Sequence, residues 1–304
     1  MMSLSSSVHH FKTFISLPSR FVATARMSTK AAAPAFDGEV AQLYIKFFEQ
    51  LTPTWERHIA ALKAHGVTKP ATVLDVASGP GQPACLVAQT FPEALVRSTD
   101  FSPDMVSQAE ARVKAAGLSS RVSCHVLDMQ SMSDIKDSSQ TVVTVSFGLM
   151  FSPDLPVALR EIKRVLAPGG VMTASVWVDV PMLPMLGKVM TKVLGHAPPP
   201  PPINPMSLAE KAALDVPLAG EGLKIVADEQ CEVTMVLGDE PEVTWKMGMI
   251  PILPKLRELE AEGRSDVMTV AKKAFLEVVA PWTDSTGLVK MPTATYRLVT
   301  VVKE

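Results

Sequence analysis

Three aspartates set in or beside apolar, β-branched runs carry the chemistry of this sequence: Asp75, Asp100 and Asp128. Asp75 lies in Val73-Leu74-Asp75-Val76, which breaks into Ala77-Ser78-Gly79-Pro80-Gly81 before helix-forming residues resume. A Gly-x-Gly turn after an apolar strand lets bare backbone approach a bound molecule where a Cβ would hinder it. The expected ligand is a nucleoside. Asp100, about 20 residues on, suits acceptance from both ribose hydroxyls, because a carboxylate offers acceptors only. That much fits a dinucleotide as well as an adenosyl cofactor, since Gly79-x-Gly81-x-x-Ala84 also satisfies the dinucleotide fingerprint. Asp128 breaks the tie: its carboxylate can accept from an adenine amino group while the Met129 N–H meets the ring. Asp75 leans the same way, because the ammonium of a methyl donor needs acceptors, whereas dinucleotide strands usually stay apolar there.

The elements that must position these groups alternate regularly from Ala71 onward. Strands are expected over 72–77, 95–100, 122–127, 141–147 and 171–178, with helices between them, which implies a parallel sheet covered on both faces. Ser102-Pro103-Asp104 supplies an N-cap, a first-turn proline and an acidic first turn, and Ser152-Pro153-Asp154 repeats that chemistry. Pro168-Gly169-Gly170 is expected to stop the helix that follows. Ligands in such sheets sit at the carboxyl ends of strands where the strand order reverses, and Asp100, Asp128 and Phe147 fall at those ends. Before the sheet, 37–66 reads as two helices broken at Thr52-Pro53 and closed by Gly66, an aromatic lid carrying Tyr44, Phe48 and Trp55. Beyond Trp177 the alternation stops. Residues 180–206 are rich in methionine and proline, with Pro198–Pro202 expected as a polyproline strut. A helix over 207–219, a strand over 223–236, helical material over 242–279 and a last strand over 295–302 follow. Pairing the last two strands antiparallel at the sheet edge leaves 238–292 as an insertion.

Together these pieces resemble the class I S-adenosylmethionine-dependent methyltransferases, in the branch similar to the ubiquinone and menaquinone C-methyltransferases. The resemblance rests on Val73–Gly81, on Asp100-Phe101-Ser102-Pro103-Asp104-Met105, on Leu127-Asp128-Met129 and on the run from Gly148 to Trp177. It covers roughly residues 40–304 and is specific for the cofactor half. It implies a Rossmann-like α/β fold: a seven-stranded, mostly parallel sheet with helices on both faces, an antiparallel C-terminal strand and helical cap elements. A SAM-binding core would span 71–178, with 179–304 completing the sheet on the substrate side. Carried over, Asp75 and the backbone of Ala77, Ser78, Gly79 and Gly81 would hold the methionine part of S-adenosylmethionine. Asp100 would take the ribose, Phe101 and Met105 would flank the adenine, and Asp128 with Met129 would read its edge. Ser146 and Phe147 would close on the ammonium, and Tyr44 would reach the carboxylate. The chain departs from the family at Ala77 and Ser78, where glycine and cysteine or glycine are usual, and at Pro80, which removes a backbone donor.

Methyl transfer needs a nucleophile in line with the sulfonium methyl in a dry pocket. Phe48, Trp55, Met150, Phe151, Trp177, Met182 and Met185 are the candidate acceptor pocket. The acceptor is expected to be a small or medium organic molecule: a quinol carbon, a phenolic or hydroxy-acid oxygen, or a thioether sulfur such as that of a methylthio-hydroxy acid. A thioether has no proton to remove. His58 and His196 are expected at the surface, and no base is assigned. Quinone work would bring the chain to a membrane, for which the sequence offers only the hydrophobic segment 180–194.

Composition narrows the alternatives. Lys plus Arg at 29 against Asp plus Glu at 31 gives a net charge of -2, which offers no electrostatic case for nucleic acid. Cys85, Cys124 and Cys231 are far apart with no C-x-x-C, so neither a disulfide framework nor a metal site is expected, and a reducing compartment is. No run reaches the ~18 apolar residues of a membrane span. Residues 1–30 hold Lys12, Arg20, Arg26, Lys30 and many serines without an acidic residue, which is transit-peptide composition for a mitochondrion or plastid. A disordered tail of a cytoplasmic protein is the alternative there. Two rivals from other classes remain: an NAD-linked oxidoreductase and a non-catalytic SAM-binding subunit.

Overall fold

Short β-branched runs that are apolar on both faces form the central strands of a parallel sheet, because helices on either side leave neither face to water. In a computed structural model of the chain, which describes residues 38–200 and 204–303, these are β1 (Thr72–Val76), β2 (Leu95–Asp100), β3 (Val122–Val126), β4 (Gln140–Ser146) and β5 (Leu166–Asp179). The later strands are β6 (Leu223–Val233), β7 (Val236–Gly238), β8 (Val289–Lys290) and β9 (Ala294–Lys303). The main sheet runs β3-β2-β1-β4-β5-β9-β6, parallel from β3 to β5, with β9 antiparallel to both β5 and β6. The order reverses between β1 and β4, which opens a crevice at their carboxyl ends. β7 and β8 form a separate antiparallel pair.

Helices α1 (Gly38–Glu49) and α2 (Thr52–Ala64) precede the sheet. Between the parallel strands come α3 (Ala84–Thr90), α4 (Pro103–Ala115) and α5 (Leu155–Val165). The remaining helices are α6 (Met182–Leu194), α7 (Lys211–Gly220), α8 (Pro241–Met249), α9 (Leu253–Ala261) and α10 (Val267–Val279). Alternation along the strands divides the core. Val73, Val142 and Val171 pack with Ile59 and Leu62 of α2 and Ala84 and Val87 of α3. Leu74, Val143, Val145 and Met172 belong with Leu159 and Ile162 of α5 and Leu214 and Leu218 of α7.

Several boundaries differ from expectation for local reasons. Asp154, not Ser152, caps α5: its carboxylate accepts from Val157 N–H at 3.2 Å, and Pro156 takes the first turn. α5 ends at Val165, ahead of Pro168-Gly169-Gly170, because Leu166 already pairs with Gln140 of β4 and Pro168 biases its predecessor toward extended backbone. The expected strand over 223–236 breaks after Val233, and its tail pairs with β8 instead. The helix expected from 207 begins at Lys211 and contains Pro217. The largest omission is α6, which methionine and proline content disguised; its Met185, Leu186, Val189, Met190 and Val193 are buried. The hydrophobic segment 180–194 thus spends its apolar face inside the protein. Among the described residues no helix is long and apolar enough to cross a membrane. Residues 1–37 and part of the proline run, 201–203, lie outside the described residues, as does the Tyr44 side chain.

Candidate cofactor site at the carboxyl edge of the sheet

Asp75 is completely buried, and its carboxylate serves the turn that follows it. Thr144 Oγ1 donates to Oδ1 at 2.5 Å, while Ser78 Oγ (2.5 Å) and Ala84 N–H (2.9 Å) donate to Oδ2. Burial pushes its pKa up to about 7, against the lowering effect of those donors. Ser78 is buried as well and accepts from Ser98 Oγ at 2.8 Å. Asp75 is thus first of all a residue of the protein's own turn. Its oxygens answer three protein donors, and it pins the turn between β1, β4 and α3.

The backbone donors of the turn also face inward. Ser78 N–H donates to Thr99 O (2.8 Å), Gly79 N–H to Asp100 Oδ2 (2.9 Å), and both Gly81 N–H and Gln82 N–H to Ser78 O (3.2 Å). The first N–H of α3 is taken by the Asp75 carboxylate. A pyrophosphate needs free N–H groups at such a turn and the positive end of a helix. Here the donors are used and a carboxylate already stands at the helix start, which disfavours a dinucleotide. The glycines divide their work. Gly79 (φ +55°) and Gly81 (φ +93°) both take the left-handed conformation, but a Cβ on Gly81 would meet Ala109 of α4 at 3.2 Å. Gly81 thus serves helix packing, while Gly79 faces the Phe48 ring. Ala77 also has positive φ (+53°), an uncommon state for a residue with a Cβ. Its methyl is accommodated by Gly148, where a Cβ would lie 2.7 Å from Ala77 Cβ and 2.9 Å from Val145 Cγ1.

Asp100 ends β2 at the rim of the crevice. It ties its Oδ2 to Gly79 N–H and its Oδ1 to Ser102 N–H, both at 2.9 Å, so it links the turn to the start of α4. Burial raises its pKa, opposed by the N–H groups of Ser102, Gly79 and Phe101. Beside it Phe101 is 57% exposed, an apolar face at the rim, and Met105 on α4 is buried. Asp128 accepts from Gln130 N–H at 2.8 Å, and Met129 is half-buried. A rim carboxylate, an exposed aromatic face and a second carboxylate just past the next strand fit an adenosine, whose sugar and base need acceptors and stacking.

On the other side of the switch point, β4 ends in Ser146 and is followed by Phe147, both nearly buried. Phe147 has φ +53°, and its N–H donates to Ser175 O at 3.1 Å and Ser175 Oγ at 3.2 Å. Its ring stacks on Trp177 with centroids 3.8 Å apart and planes 8° from parallel. Tyr296 meets Phe147 and Trp177 edge-on at 5.5 and 6.2 Å. Sequence reasoning missed Tyr296; its signal was an aromatic at the start of a last strand paired antiparallel to β5, where it falls opposite Trp177. Phe48 and Trp55 form a second pair, 5.3 Å apart. Met150 and Met185 are core residues, Met182 is half-buried, and Phe151 is exposed. His58 reverses expectation: it is fully buried, with Nδ1 2.9 Å from Thr173 Oγ1 and Nε2 3.1 Å from Ser175 Oγ. Burial pushes its pKa down to about 3. His196 is exposed. Among the described residues no group of three His, Cys, Asp or Glu side chains could hold a metal ion.

A methyltransferase domain model matches residues 73–170. The demethylmenaquinone methyltransferase of Geobacillus kaustophilus is 31% identical over 159 residues, covering 46% of this chain and 67% of that protein. That of Listeria welshimeri is 33% identical over 139 residues, 41% of this chain. The match spans only 58% of the Listeria protein's length. Among solved structures the cyclase SpnF superposes with a TM-score of 0.50 at 19% identity, over 82% of this chain and 81% of that one, a likeness of fold alone. Matched strands, turn and relatives agree: the chain belongs to the class I S-adenosylmethionine-dependent methyltransferases.

Proposed function

We propose that this chain transfers the methyl group of S-adenosylmethionine to a small or medium organic acceptor. The observation that carries the reading is Asp100, bonded to Gly79 N–H at the switch-point rim with the exposed Phe101 ring beside it. The cofactor supplies an electrophilic methyl on a sulfonium. Asp100 would hold the ribose, Phe101 and Met105 the adenine face, and Asp128 with Met129 the adenine edge. The Ala77–Gly81 backbone and Ser146–Phe147 would shape the methionine end, together with Tyr44. The Phe147, Trp177 and Tyr296 cluster supports an apolar acceptor chamber that excludes water.

Three acceptor atoms compete. Demethylmenaquinone methyltransferase relatives favour a quinol carbon. A carbon or a phenolic or hydroxy-acid oxygen would want a base, and His58 is a poor one, since burial pushes its pKa down to about 3 and both ring nitrogens are engaged. A thioether sulfur needs no proton removed and so no base. A methyl-transfer screen over thioethers, phenols and quinols with labelled cofactor separates them. Turnover of one class assigns the atom; cofactor binding without turnover of any would favour a non-catalytic SAM-binding subunit. The basic, acid-free composition of residues 1–30 supports import into a mitochondrion or plastid. An intact native N-terminus would contradict import with cleavage.

A further inference from the structure

His58 stands on α2, yet its partners stand on the strand beneath the crevice, 115 and 117 residues away. Its imidazole bridges Thr173 Oγ1 and Ser175 Oγ, and all three side chains are buried. Ser175 Oγ is the junction. It lies 3.1 Å from His58 Nε2, accepts from Phe147 N–H at 3.2 Å, and donates to Ser146 Oγ at 3.4 Å. Phe147 holds the left-handed backbone conformation that a bulky residue keeps only when its surroundings over-determine it. The bonds to Ser175 are part of that determination, and the face-to-face stack on Trp177 is the rest.

A Ser175 hydroxyl directed at Ser146 corresponds to one tautomer of His58. Ser175 has a single hydroxyl proton, and sending it to Ser146 leaves its oxygen to accept from both Phe147 N–H and His58. His58 must then carry its proton on Nε2 and accept at Nδ1 from the Thr173 hydroxyl. In the opposite tautomer Ser175 would donate to Nε2, and the Ser146 hydroxyl would have to donate to Ser175 in its place. Burial, which keeps the ring uncharged, is consistent with either neutral form.

We infer that His58 is a positioning residue: as the neutral Nε2–H tautomer it fixes Ser175, and through Ser175 the Ser146–Phe147 elbow that meets the ligands. The helix α2, which carries Trp55 as well, is thereby locked to the floor of the site. The inference rests on the proposed methyltransferase reading, because the elbow matters only if ligands reach it.

The test uses the full chain with S-adenosylhomocysteine as probe. Nitrogen-15 NMR of ring-labelled protein at pH 7 is expected to report His58 as a neutral Nε2–H imidazole; an Nδ1–H ring or an imidazolium overturns the inference. Calorimetric titration of His58→Gln, Ser175→Ala and the double variant follows. Each single change should weaken binding by about tenfold, the size of one lost buried hydrogen bond. The double variant should be little worse than either alone, since both act through one junction. Additive losses, or unchanged affinity in soluble, folded single variants, contradict it. If the wild type fails to bind the probe, the proposed function has failed instead, and the NMR result still decides the tautomer.

Discussion

The two sides of the switch point are built by different means. On the β1–β2 side, apart from the Thr144 bond to Asp75, the turn, its aspartate and the start of α4 are joined by bonds within the turn or to the adjoining strand and helix: Ser78 and Ala84 to Asp75, Gly79 and Ser102 to Asp100, Met105 to Ser102. On the β4–β5 side, the elbow at Phe147 is held by Ser175, His58, Trp177 and Tyr296, which come from three separate stretches. Bonding of this kind shapes the proposed cofactor edge from one contiguous βαβ segment. On the proposed acceptor side the contacts are long-range packing instead. The two sides meet where the Ala77 methyl lies against Gly148.

That contact is where the comparison breaks most easily. Gly148→Ala places a methyl into Ala77 and Val145, and overpacking of this kind destabilises by about 3 kcal/mol. Urea unfolding should show it, and Ala77→Gly in the same chain should restore much of the loss. If the double variant is no better than the single, the two sides are not in contact as described.

Asp75 tests the local side. Asp75→Asn keeps an acceptor for Ala84 N–H and the Ser78 hydroxyl but sets an NH2 against the donating Thr144 hydroxyl, a loss of about 1 kcal/mol at neutral pH. The wild type has a further signature. Burial raises this carboxyl to about 7, so between about 4 and 7 the folded chain holds a proton that the unfolded chain has released. The Asp75 contribution to stability therefore falls as pH rises through that window. The slope should be smaller in Asp75→Asn; an identical slope in both proteins would assign it elsewhere.

Legibility followed the same division. Ser102 as an N-cap, Asp100 at a strand tip and the antiparallel closing strand could be read because their causes lie within a few residues or in simple alternation. Gly81 was read as ligand-facing, but its reason is Ala109 on α4, which only packing reveals. His58 was read as a surface histidine because nothing near it in the chain hints at Thr173 and Ser175. α6 was hidden by its methionines and Pro184, although Met185, Leu186, Val189, Met190 and Val193 follow a helical period.

The acceptor side is sharpened by Trp177→Leu, which removes a stacked and an edge-on aromatic contact. Such pairs contribute about 1 kcal/mol, so the acceptor KM should rise about fivefold while S-adenosylhomocysteine affinity holds. Equal losses for both ligands would erase the division between the sides. The smallest expected effect is Phe101→Ala. Its exposed ring contributes little to folding, so Tm should stay constant while S-adenosylhomocysteine binds about threefold more weakly. A lower Tm with unchanged affinity would make Phe101 a packing residue.

The central claim is that the turn, its inward-facing donors and Asp100 make an adenosyl-methionine site and not a dinucleotide site. Isothermal titration of the intact chain with S-adenosylhomocysteine and with NAD, repeated on Asp100→Ala, tests it directly. The wild type should bind S-adenosylhomocysteine and not NAD, and loss of a charged acceptor should weaken that binding by at least about tenfold without unfolding the protein. Binding of NAD in its place, or full S-adenosylhomocysteine affinity in Asp100→Ala, would contradict the account.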